Sequence, residues 1–245
     1  MAELTVIRHG QASFGAANYD KLSDLGWQQA RWLGEYFAQR GMQFDHVVTG
    51  TLVRHRETLS GIQQGMGLSP AACLEHPGLN EYDSSVMFKA RAAAGKMDAI
   101  DEHNLNLDRR YYFRQLREAL YEWSDGLLQP PDYQTFLTFR RGVIDGMQAA
   151  MRADAKRVLL VSSGGPISNM VGQVLQVPNR VTVDLNLQTR NASISQFAYS
   201  IKSQSSIKSQ NSSQSSSDVS SLALMSFNNI PHLDSPDRLH AVTYS

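Results

Sequence analysis

Leu4-Thr5-Val6-Ile7-Arg8-His9-Gly10 is the stretch on which the reading of the whole chain turns. Leu4 to Ile7 is a short apolar run, β-branched at three of its four positions. It is too short for a helix and suits a fully buried parallel strand. Arg8 and His9 then fall at the carboxyl end of that strand, which is where open α/β sheets bind their ligands. The Arg8 guanidinium presents a planar fork of donors that matches phosphate oxygens, and the His9 ring offers a nucleophilic nitrogen near neutral pH. Gly10 lets the backbone approach an anion closely.

Working outward, residues 11–22 read as loop, and Ser23 caps a helix whose Ala30, Leu33, Gly34 and Phe37 recur at helical spacing until Gly41 stops it. Asp45 to Thr49 is a second strand, followed by a helix with Leu52, His55, Leu59, Ile62 and Met66 on one face. Strand, helix, strand, helix implies parallel strands joined by right-handed crossovers. Arg54, in the first turn of the second helix, should face the same crevice as Arg8 and His9. Its neighbours His55 and Arg56 point elsewhere by helical geometry and read as packed or solvated side chains. Glu81 sits in the turn-rich run Pro77 to Asp83, where a loop carboxylate and a catalytic acid look alike.

From Ser84 to Asp132 the pattern turns helical, with Phe113, Leu116, Leu120 and Trp123 on one stripe and Pro130-Pro131 closing the segment. A helical insertion over 84–132 would cap the crevice. Seven Lys and Arg against nine Asp and Glu from 83 to 132 make it no cationic lid. Phe136, Phe139, Val143, Met147 and Ala150 outline the next helix. Val158-Leu159-Leu160-Val161 is the clearest strand, and it ends in Ser162-Ser163-Gly164-Gly165-Pro166, where Pro166 can open a helix through Val174. Asn191–Tyr199 and Leu222–Phe227 read as partner strands. Between them, residues 200–221 hold 12 serines and no aromatic residue, which predicts a disordered, dispensable loop.

Composition bounds the alternatives. Lys plus Arg and Asp plus Glu are 23 each, so the overall field gives no reason to expect nucleic acid or an anionic membrane as partner. No stretch approaches the roughly 20 apolar residues of a membrane span, and no basic-then-apolar leader precedes the first strand, so the chain reads as soluble and cytoplasmic. Cys73 is the only cysteine, which excludes an internal disulfide, and no two histidines share the spacing of a helical zinc site. The expectation is one domain over 1–245 with no metal and no cofactor; oligomeric state leaves no mark on the sequence.

Arg8-His9-Gly10 after the first strand, Arg54 after the second, Glu81 ahead of the helical insertion and the small-residue turn after Val161 together resemble the histidine phosphatase superfamily, also called phosphoglycerate mutase-like. The resemblance runs from Leu4 to about Leu233 outside the serine-rich segment. It implies an α/β three-layer sandwich, a mainly parallel central sheet flanked by helices with a helical cap, and covalent phosphoryl transfer to water. His9 would be the nucleophile and Glu81 the proton donor and later base; Arg8, Arg54 and Ser163 would hold the phosphate of a small phosphorylated substrate or a phosphoprotein. The longer pattern of the mutase branch after the Arg-His-Gly turn is missing, which favours the phosphatase branch. Family members usually carry a second histidine where this chain has Ser163. Two readings follow: a phosphomonoesterase, or a phosphate-binding regulatory protein with little turnover.

Overall fold

The computed structural model describes residues 1–13, 20–96, 109–151, 155–200 and 222–244. Its centre is a six-stranded sheet built from β1 (Ala2–Arg8), β2 (His46–Thr49), β3 (Leu74–Glu75), β4 (Arg157–Ser162), β5 (Ile194–Tyr199) and β6 (Leu222–Asn229), in the order β3-β2-β4-β1-β5-β6. Pairing is parallel from β3 through β2 and β4 to β1, then antiparallel across β5 and β6. The strand expected at Leu4–Ile7 extends by two residues at its start and one at its end. The hydrophobic partner strands 191–199 and 222–227 are also present, the first beginning only at Ile194.

Seven helices cover the sheet among the described residues: α1 (Asp24–Gln39), α2 (Val53–Gly65), α3 (Ser84–Ala93), α4 (Arg109–Ser124), α5 (Phe136–Ala150), α6 (Gly164–Leu175) and α7 (Asn179–Gln188). Ser23 caps α1 as expected, its hydroxyl accepting from the Gly26 N–H at 3.1 Å, and Gly41 follows the helix at φ +60°. Strand alternation divides the core. Leu4, Val6, Val158 and Leu160 face one side and pack with α4, α5 and α6; Ile7, Leu159 and Val161 face the other and pack with Leu33, Phe37, Leu59 and Ile62 of α1 and α2. Each such fully buried side chain contributes roughly 1.5–3 kcal/mol relative to exposure. The result is a three-layer α/β sandwich with a mainly parallel sheet.

Of the segment 84–132, the described part forms α3 and α4, and residues 97–108 lie outside the described set. Phe88 and Tyr112 join the two helices edge to face at 5.2 Å between ring centroids. The serine-rich segment, apart from Ser200, also lies outside the described residues. Its flanks already meet, because Tyr199 and Leu222 are register partners. Replacing residues 200–221 by a short Gly-containing turn is therefore expected to leave the melting temperature nearly unchanged. A large fall would show that the segment packs on the core.

Candidate active site

Three strand ends converge. In the register of the sheet Arg8 lies beside Ser162 and Thr49 beside Val161, so β4 separates the ends of β1 and β2. Past those ends, the His9 N–H donates to the Ser162 carbonyl at 2.9 Å and the Gly50 N–H donates to the Val161 carbonyl at 3.1 Å. Arg8, His9 and Arg54 are all buried, yet all three line a crevice of about 620 Å³ together with Asp20, Glu81 and residues of α3, α4 and α7. Four of the five residues singled out in the sequence thus face one space; Ser163 does not.

His9 is held from two directions. Its Nδ1 lies 2.7 Å from the Gly10 carbonyl, and the Arg54 Nε–H donates to its Nε2 at 3.2 Å. A carbonyl only accepts and a guanidinium only donates, so the proton belongs on Nδ1 and the Nε2 lone pair faces Arg54. Burial holds the imidazole well below its ordinary pKa, and the cations Arg54 and Arg8 push the same way. The ring is neutral at pH 7. Behind it, the His9 carbonyl accepts from the Ala192 N–H at 3.1 Å.

The two arginines are fixed by other elements. Arg8 Nη1 donates to the Thr189 carbonyl at the end of α7. Arg54 Nη1 pairs with Asp20 Oδ1 at 2.7 Å, while Asp20 Oδ2 accepts from the Val53 N–H at 2.9 Å. Asp20 was not foreseen, since a loop carboxylate 34 residues before its partner leaves no local signature.

Glu81 reaches the first turn of α6. Its Oε2 accepts from the Gly165 N–H at 3.1 Å and its Oε1 from the Tyr82 N–H at 3.2 Å. A Cβ on Gly165 would come within 2.1 Å of Glu81 Oε1, so only glycine admits the carboxyl there. Burial raises the Glu81 pKa, against those two N–H groups and the cations Arg54 and Arg8, which lower it. Tyr82 anchors the turn, 6.0 Å from both the Trp123 and Phe139 rings, with its hydroxyl accepting from Asn186 Nδ2 at 2.9 Å.

Ser163 is fully buried beneath this constellation, bonded to His55 Nε2 at 2.7 Å. His55 is equally buried, with its ring centroid 5.8 Å from that of His9. The helical geometry was read correctly: Arg54 points into the crevice, and His55 turns the other way. On that side Gly50, at the end of β2, has no side chain to block the ring; a Cβ there would meet His55 Nδ1 at 2.1 Å. Arg56 is solvated, as expected, and paired with Glu75.

Comparisons with known proteins agree with this fold. A family model for the histidine phosphatase superfamily, branch 1, matches residues 4–212. A 2,3-bisphosphoglycerate-dependent phosphoglycerate mutase from Parvibaculum lavamentivorans is 22% identical over 198 residues, covering 76% of this chain and 86% of the relative. A phosphoserine phosphatase variant from Entamoeba histolytica, solved with phosphoserine, superposes with a TM-score of 0.59 at 17% identity, covering 95% of this chain and 100% of that one. A mycobacterial glucosyl-3-phosphoglycerate phosphatase superposes with a TM-score of 0.58 at 20% identity, covering 93% and 99%. These likenesses share the fold, and the family match spans the first five strands with every residue that lines the crevice: the chain belongs to the histidine phosphatase superfamily, branch 1.

Proposed function

We propose that the chain is a phosphomonoesterase that works through a phosphohistidine on His9. The observation that carries this reading is the neutral, buried His9 ring, with Nδ1 committed to a carbonyl and Nε2 accepting from Arg54, in a crevice that Arg8 also lines. The Nε2 lone pair attacks phosphorus as the ester P–O bond breaks. Arg8 and Arg54 stabilise the charge on the equatorial oxygens, and Nδ1–H, bonded to the Gly10 carbonyl, supports the positive charge that develops on the ring. Glu81, whose raised pKa favours the acid form, protonates the departing oxygen. In the second half, the Glu81 carboxylate takes a proton from water, the hydroxyl oxygen bonds to phosphorus, and the P–N bond returns its electron pair to Nε2. Orthophosphate then leaves.

The crevice walls indicate the alcohol. Among the described lining residues Arg8 and Arg54 are the only cations, and Asp20 and Asp83 add negative charge, while Leu52, Tyr112, Phe113, Leu116 and Leu187 supply apolar surface. A bound phosphate uses both cations, so a second anionic group finds none. An aryl or otherwise apolar phosphomonoester suits this surface. The purified chain is expected to hydrolyse an aryl phosphate with kcat/KM at least about tenfold above that for 3-phosphoglycerate, one unpaired charge being of that order. A preference for 3-phosphoglycerate would overturn the assignment of the walls.

A second reading, a phosphate-binding protein with little turnover, draws on Ser163 at the end of β4. Tight binding of orthophosphate by a chain that hydrolyses no phosphomonoester would favour it over the first.

A further inference from the structure

Ser163 occupies the N-cap of α6, with extended backbone at φ −117° and ψ 170°, yet its side chain caps nothing. A capping serine accepts from the N–H two or three residues on. Here both are withdrawn. The Gly165 N–H donates to Glu81 Oε2, and Pro166 has no N–H to give. The hydroxyl is therefore released from its usual task and bonds instead to His55 Nε2, at 2.7 Å, across 108 residues of chain. Two buried polar side chains committed to one another, next to a nucleophile, are a costly arrangement in a core unless something is gained from it.

Resting on the phosphatase reading above, we propose that His55 is a positioning residue for His9: anchored by Ser163, it holds an imidazole against the nucleophile from α2, and this pair fixes the orientation of the His9 ring. The neighbours support it. His9 and His55 stand 5.8 Å apart between centroids at 40° between planes, and both rings are buried. The Gly50 backbone lies against the Nδ1–Cε1 edge of the His55 ring, where a Cβ would come within 2.1 Å of Nδ1. His55 is kept neutral by burial, with Arg54 acting in the same direction, so it fills the space without adding a lasting charge beside Arg8 and Arg54. Ser163 is thereby a part of the site through His55, and does not stand alone in place of a lost donor.

The pair is tested by exchange. His55→Ala and Ser163→Ala should each lower kcat about 10- to 100-fold with KM changed little, misplacement of a reacting group being worth up to about 10². The double variant should be no worse than the more damaging single one, because the two act as a unit. Ser163→His alone should crowd His55 and lose activity, whereas His55→Ser combined with Ser163→His, which exchanges the groups at the two ends of the hydrogen bond, should recover most of it. A readout independent of turnover is the NMR titration of the His9 ring. Arg8, Arg54 and His55 face that ring and Glu81 shares its crevice; removing His55 readmits water, so the His9 pKa should rise toward its ordinary value in His55→Ala. Ser163→Ala, which opens no cavity, keeps the test available if His55→Ala does not fold. Wild-type kcat and an unmoved His9 titration in these variants overturn the proposal. Failure of the wild-type chain to hydrolyse any phosphomonoester, with the His9 titration moving as stated, would instead fault the phosphatase reading.

Discussion

His9→Ala is expected to hydrolyse no phosphomonoester and to take up no phosphate. Alanine keeps the backbone groups that tie this residue to Ser162 and Ala192 and removes the unprotonated ring nitrogen that accepts from Arg54. The arginines and the crevice remain, so orthophosphate should still bind. The wild-type chain, mixed rapidly with labelled aryl phosphate and quenched in alkali, should carry an acid-labile phosphoryl group that His9→Ala lacks. The loss in kcat should be at least about 10⁴-fold, since removing a covalent nucleophile removes the pathway and not merely one stabilising contact. Turnover that survives in His9→Ala would sink the mechanism.

Glu81→Ala should split substrates by their leaving groups. An alkyl phosphate needs a proton on its departing oxygen and should lose about 10²- to 10⁴-fold in kcat/KM. A nitrophenyl phosphate, whose leaving group departs as an anion, should lose far less in the first step and accumulate phosphoenzyme, because the base for the second step is missing. The pH profile follows from the two displaced ionisations. His9, lowered, remains an unprotonated nucleophile to lower pH, and kcat/KM falls only as pH drops through its pKa. Glu81, raised, remains an acid to higher pH, and kcat/KM falls as pH climbs through its pKa. The optimum on alkyl phosphates therefore lies between the acid limb set by His9 and the alkaline limb set by Glu81. The alkaline limb due to Glu81 should vanish in Glu81→Ala, leaving only the substrate's own phosphate ionisation near pH 6. Equal losses on both esters would show that Glu81 is not the acid.

Much of this fold is legible in the sequence alone. The strands β1 and β4 announce themselves because both faces of each are buried, which leaves uninterrupted apolar runs, and the cap of α1 is a local device written in four residues. Three of the crevice-lining residues were legible from position: Arg8, His9 and Arg54 take their direction from where strands end. Less visible were β3, two exposed residues added to an edge, and α7, whose buried face is Thr182, Val183 and Asn186 and so shows no apolar stripe. His55 is a packed side chain, as its position on the helix implies. Its direction follows from the helix, but what lies in that direction is decided by Gly50 and by Ser163 at the N-cap of α6, and a contact over 108 residues leaves no periodicity to read. Asp20 was hidden in the same way. The departure at Ser163 could be seen in the sequence; the partner that gives it a role could not.

The place of β1 in the sheet also sets a clock. Its residues 2–8 are paired only with 157–162 on one edge and 194–199 on the other, so nothing within the first 150 residues can satisfy either edge of the strand. At ribosomal rates of about 5–20 residues per second, Leu4, Val6 and Ile7 emerge and then wait on the order of ten seconds for β4 to be synthesised. During that interval the most apolar stretch of the N-terminal region has two open edges and is open to pairing with another nascent chain. The long loop that finally closes also slows folding once synthesis is complete. His9 acquires the backbone partners that hold it, Ser162 and Ala192, only at that closure, so the candidate nucleophile is fixed in place only after β4 and the residues before β5 have been made.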